Sequence, residues 1–227
     1  MTKPTADQEC RVHPGAARIG CPYCLTDARV EGDTAAIAQW CAEVGDRECD
    51  QRFPSHFRAA RVDHPAVAAW CRLWGPDTVP GRSLVLTGSV GTGKTHQALG
   101  ALRQVATSGR RVRFEHGTAA DFYASLRPRD KHDSEAVMAR WRSADVILLD
   151  DLGAAKLTEW AEEQTYRLVN HRYEGDRPMI ITTNLPGERF SEVLGDRIAS
   201  RLAEAAAGHV VGLVGADRRR SPAGAAA

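Results

Sequence analysis

A chain of 227 residues with 43% hydrophobic and 26% charged content has room for one substantial domain plus an appendage, and its composition is that of an ordinary globular protein. Thirty Lys and Arg against twenty-nine Asp and Glu leave no global field that would draw in nucleic acid, so any such surface has to be local. The start, MTKPTADQECRVHPG, lacks an apolar run of signal-peptide length, and no window approaches the roughly 20 apolar residues of a membrane span; a cytoplasmic protein with no membrane partner is expected.

In a reducing compartment six cysteines do not suggest a disulfide framework, and their spacing becomes the informative variable. Cys10, His13, Cys21 and Cys24 form two close pairs, Cys-x2-His and Cys-x2-Cys, set among Pro and Gly. Such pairs can turn four ligands onto one tetrahedral Zn²⁺, and a segment too small for a core would take its folding energy from the metal. The competing reading is unpaired thiols beside a chance histidine. Residues 33–50 read as an amphipathic helix in which Cys41 and Cys49 are structural or incidental. Pro54 and Pro65 mark an irregular lead-in before a helix over 66–74, and the domain boundary is placed just before Arg52.

From Ser83 onward strands and helices alternate. SLVLT is a strand, 95–107 a helix, RVRFEH a strand, and TAADFYASL and DSEAVMARWRSA are helices; DVILL is a buried strand, TEWAEEQTYRLVNHRYE a helix, PMIITT a buried strand. SEVLGDRIASRLAEA adds a helix and HVVGLV a last strand, before the tail DRRRSPAGAAA. Such alternation predicts an α/β fold, a parallel sheet covered by helices on both faces.

Between the first strand and its helix lies GSVGTGKT: Gly88, Ser89, Val90, Gly91, Thr92, Gly93, Lys94 and Thr95. This is the phosphate-cradling pattern G-x-x-x-x-G-K-[ST] in the strand-to-helix context it requires. Its glycines let backbone N–H groups face the β-phosphate, Lys94 adds charge at the β/γ position, and Thr95 offers a hydroxyl to Mg²⁺. An acidic partner is expected at a strand end, and VILLDDLG supplies it. Asp150 would hold Mg²⁺ through its water shell, and Asp151 would orient or deprotonate the attacking water. In TTN at 182–184, Asn184 can donate to a γ-phosphate or position water. In DRIASRL, Arg197 and Arg201 are four apart on one helical face; Arg201 either reaches a neighbouring subunit's γ-phosphate or is a solvated surface charge.

These four motifs, in this order, resemble the AAA+ ATPases of the DnaC/IstB-like group, bacterial and phage helicase loaders and transposition-helper ATPases, over about 52–220. The resemblance implies a P-loop NTPase (AAA+) domain over 52–220, a zinc-binding and helical segment over 1–51 that engages a helicase, and a tail over 221–227. It assigns Lys94 and Thr95 to Walker A, Asp150 and Asp151 to Walker B, Asn184 to sensor 1 and Arg201 to the arginine finger. Gly215-Ala-Asp-Arg-Arg219 stands where relatives carry G-x-S-Y-R. Arg219 is therefore the sensor 2 residue chosen, with Arg218 and Arg220 as alternatives. ATP, Mg²⁺ and Zn²⁺ are the implied cofactors; a replicative helicase, single-stranded DNA and further copies of the chain are the implied partners. A helicase loader is the leading reading, a transposition helper the alternative. A small-molecule kinase is disfavoured because no lid-like Arg cluster separates the Walker motifs. Phe122 and Tyr123 lie where relatives carry DNA-facing helices, and they are read either as core or as bases' stacking partners.

Overall fold

The computed structural model of the chain describes residues 34–76, 78, 81–127, 133–154 and 157–215. Helix α1 (Thr34–Arg52), a 3-10 turn (Ser55–Phe57) and α2 (Pro65–Cys71) lead into β1 (Leu84–Thr87). There follow α3 (Lys94–Ala106), β2 (Phe114–Thr118), α4 (Ala119–Leu126), α5 (Ser134–Ser143), β3 (Val146–Asp150), α6 (Glu159–Glu174), β4 (Met179–Thr183), α7 (Phe190–Leu194), α8 (Asp196–Ala205) and β5 (Val210–Gly212). No helix among the described residues is long and apolar enough to cross a membrane.

The five strands form one parallel sheet in the order β2-β3-β4-β1-β5. Because strand side chains alternate, Leu84 and Leu86 enter one core with α1, α2 and α3, while Val85 points into the other with α4 to α8. Burial on both faces explains why VILLD and MIITT read as nearly continuous apolar runs. The sheet stacks the C-terminal ends of β1, β3 and β4 side by side, which gathers the motifs that follow them.

Helix α1 packs on α3. A Cβ at Gly45 would lie 1.9 Å from the Ala106 carbonyl oxygen, so only glycine allows this approach. Arg103, 6% exposed, pairs with Asp46 and with Asp50 at 2.7 Å, and Cys49 and Phe53 join the α3 core. Cys41 and Cys49 are buried thiols; burial pushes Cys49 up to about 12, which leaves it an inert packing group.

Two elements depart from the sequence reading. The expected single helix SEVLGDRIASRLAEA is two, broken at Gly195 with φ 83°, where a Cβ would meet Glu162 Oε1 at 2.6 Å. The strand expected at RVRFEH starts only at Phe114 and runs on to Thr118. Arg111 and Arg113 instead pair with Glu48 at 2.6 Å and Asp145 at 3.1 Å.

Candidate nucleotide site

The loop between β1 and α3 is shaped by three glycines. Gly88 has φ 144°, and a Cβ there would sit 2.3 Å from the Leu213 carbonyl oxygen, because the chain continues past β5 at this point. Gly91 and Gly93 have φ 84° and 93°, values that side chains rarely tolerate. Gly93 caps α3 without any side-chain hydrogen bond, so the first turn of α3 keeps its N–H groups for a ligand. The Lys94 ammonium is folded into this loop and donates to the carbonyls of Gly88 at 2.9 Å and Ser89 at 2.7 Å. Thr92 Oγ1 closes the turn on the Ser89 carbonyl at 2.9 Å.

The acidic side stands directly opposite. Thr95 Oγ1 donates to Asp150, 3.0 Å from Oδ1 and 3.1 Å from Oδ2, and Thr182 Oγ1 donates to Asp150 Oδ1 at 2.6 Å. Burial pushes the Asp150 carboxyl up; the Thr182 and Thr95 hydroxyls pull it back, while the Asp151 charge raises it and Lys94 lowers it. Asp151 adopts φ 58°, a left-handed conformation uncommon outside glycine. Its N–H donates to Thr182 Oγ1 at 2.8 Å, and its Oδ1 accepts from Asn184 Nδ2 at 2.9 Å. The following turn is held by Leu152 N–H on the Thr182 carbonyl, 2.9 Å, and by Thr183 Oγ1 on the Leu152 carbonyl, 2.7 Å. The strained residue is thus over-determined by β4, and its carboxylate is aimed into the cleft.

The cleft measures ≈ 470 Å³ and brings the glycine loop, Lys94, Thr95, Asp150, Asp151 and Asn184 together. Arg201 lies elsewhere. Its Nε donates to Asn170 Oδ1 at 2.6 Å and its guanidinium stacks 5.1 Å from the Tyr166 ring, so in the single chain it rests on α6. Phe122 is core, 1% exposed, and Tyr123 is half-buried with its hydroxyl 2.7 Å from Thr165 Oγ1. Cys10, His13, Cys21, Cys24, Arg218, Arg219 and Arg220 lie outside the described residues. Among the described residues no three potential metal-ligating His, Cys, Asp or Glu side chains cluster.

Sequence reasoning passed over Thr182, Phe57 and His96, all of which line the cleft. For Thr182 a signal existed: a hydroxyl in a fully buried strand has to find a partner, and here it is the Asp150 carboxylate. Phe57 and His96 carried none, since their approach depends on how the chain before β1 lies along α3.

The family model of the IstB-like ATP binding protein matches residues 78–211. Among curated proteins, the phage-like element PBSX protein XkdC of Bacillus subtilis is 32% identical over 51% of this chain and 46% of its own length. The replicative helicase loader DnaC of Escherichia coli is 23% identical over 53% of this chain and 49% of its own. The chain thus spans about half the length of these relatives. A crystal structure of the DnaC helicase loader shares the fold with TM-score 0.63 at 21% identity, covering 71% of this chain and 100% of that one. The replication initiator DnaA bound to AMPPCP and single-stranded DNA shares it with TM-score 0.55 at 22% identity, covering 68% and 46%. The sheet is that of an AAA+ P-loop NTPase, and with the family model covering 134 residues, 78 to 211, out of 227, the chain belongs to the IstB-like ATP-binding family.

Proposed function

We propose that the chain is an ATP-hydrolysing DNA replication factor of the helicase-loader type, which binds single-stranded DNA and delivers a replicative helicase. The observation that carries the ATPase part is the convergence of Thr95, Asp150, Asp151, Thr182 and Asn184 at one end of a glycine loop. Thr95 and Asp150, an oxygen pair facing the phosphate cradle, have the hard-ligand chemistry that Mg²⁺ takes, and the ion would neutralise charge on the β- and γ-phosphates. Lys94 exchanges its carbonyl partners for phosphate oxygens. Asp151, held by Asn184 and the Thr182 hydroxyl, accepts a proton from the attacking water in line with the γ-phosphoryl group. Arg201 turns from α6 toward a neighbouring copy's nucleotide, and Arg219 supplies the sensor 2 charge.

The helicase-loader part is supported by the similarity to DnaC and to a DnaA whose structure was solved with single-stranded DNA bound. In this reading residues 1–51 form the helicase-engaging segment, with Zn²⁺ on Cys10, His13, Cys21 and Cys24, 52–220 the ATPase domain and 221–227 a tail; the protein works in the cytoplasm as an ATP-dependent homo-oligomer. The description of the matching family favours one other reading, an IstB-like transposition helper. Co-purification of the full chain with a hexameric replicative helicase and with a transposase, each with and without ATP, separates the two. Retention of the helicase alone is expected; retention of the transposase alone would replace the first reading by the second.

A further inference from the structure

Strand β5 ends the sheet, and among the described residues no further strand flanks it. Its bonds to β1 run through alternate residues: the Val85 N–H donates to the His209 carbonyl at 3.0 Å, and the Leu213 N–H to the Thr87 carbonyl at 2.7 Å. The N–H and C=O groups of Val210 and Gly212 therefore point away from β1, along an open edge. An apolar groove of ≈ 430 Å³ lies beside this edge, lined by Val85, Phe190, Ala199, Leu202, Ala203 and Val210, the last 54% exposed. The Ser83 N–H donates to the Ala205 carbonyl at 2.8 Å, which sets the C-terminal end of α8 by the start of β1. Asp196, at the other end of α8 and also in the lining, stands toward the strand ends where the phosphate loop lies.

The described chain stops at Gly215, past the upper end of β5, where the Leu213 carbonyl oxygen crowds Gly88. Twelve residues, 216 to 227, follow it. If they turn back there they reach the groove at once, and the seven from Ser221 to Ala227 span up to about 23 Å when extended, against about 10 Å for the three residues of β5. Their composition fits the place. Arg218, Arg219 and Arg220 would come level with the Asp196 carboxylate, while Ser-Pro-Ala-Gly-Ala-Ala-Ala brings small, uncharged side chains to a groove walled by Ala199 and Ala203. Pro222 lacks an N–H and suits the outermost strand of a sheet, where it discourages further pairing. We propose that residues 221–227 run antiparallel along β5 as a sixth strand over this groove, with Arg218, Arg219 and Arg220 in the turn at the phosphate-loop end. The tether makes the pairing intramolecular, so even a weak strand former suffices.

Residue-resolved amide hydrogen exchange of the full chain, without nucleotide, reads this edge directly: Val210 and Gly212 gain partners from a strand there, whereas Val211 and Leu213 already have theirs in β1. Removing residues 221–227 is expected to speed exchange at Val210 and Gly212 at least ~10-fold and to leave Val211 and Leu213 within about twofold, which marks β5 itself as intact. Ala203→Arg, a surface change on α8 that puts a long side chain into the groove, should produce the same pattern with residues 221–227 present. Equal rates at Val210 and Gly212 with and without 221–227 would overturn the proposal, whether fast, as for an open edge, or slow and dependent on protein concentration, as for a second copy seated on it. A wild-type exchange pattern in Ala203→Arg would overturn it as well.

Discussion

Thr182 holds the two aspartates in register: it donates to Asp150 at 2.6 Å and accepts from the Asp151 N–H at 2.8 Å. Thr182→Val keeps the shape and removes both bonds. It should cost about 1–3 kcal/mol of stability, and, with one hydroxyl fewer to offset burial, move the Asp150 carboxyl further up. Thermal melting and the Mg²⁺ concentration for half-maximal ATPase read the two effects; the second should rise. His116 offers a pH test of stability. Burial, and then the nearby Arg52 charge, push its imidazole down to about 4 from about 6.5, with Phe53 and Phe114 packed on the ring. Between those two values the unfolded chain binds more protons than the folded one, so stability should fall as pH drops from 6.5 toward 4. The loss at full shift is roughly 3 kcal/mol. His116→Phe should flatten that limb in denaturant titrations run at several pH values.

Among the elements, the periodic ones were readable: the apolar strands, the P-loop's strand-to-helix setting and the helix over 159–174 are all local patterns. What local pattern cannot encode is which strands become neighbours. The order β2-β3-β4-β1-β5, which brings Asp150 and Asn184 beside the loop after β1, arises from packing across the whole sheet. The same holds for Arg172, which reads as one charge on a mixed helix face yet is fully buried. It donates to the carbonyls of Trp141, Ala144 and Pro178 at 2.9, 2.9 and 2.7 Å, and so ties the end of α5 to the starts of β3 and β4. Arg172→Ala strips those carbonyls of a donor inside the protein and should destabilise by roughly 3 kcal/mol or more, seen as a lower denaturation midpoint.

For the whole molecule, the question is whether one chain suffices. Arg201 rests on Asn170 and the rings of Tyr166 and Tyr173, on the opposite side of the sheet from the P-loop helix. If a neighbour completes the site, Arg201→Ala should keep ATP affinity and lose assembly-dependent turnover, and mixing it with Lys94→Ala should recover part of the activity. A rate per chain that is constant on dilution, with no recovery in the mixture, would make Arg201 a surface charge. The central claim is that the cleft between the glycine loop and the Asp150–Asp151 pair hydrolyses ATP. It is tested most directly by ATP turnover and ATP binding of the full chain, wild type against Asp151→Asn, in Mg²⁺ with single-stranded DNA present. Unchanged ATP affinity with turnover at least ~100-fold lower is the expected result. Equal turnover in the two proteins would contradict it.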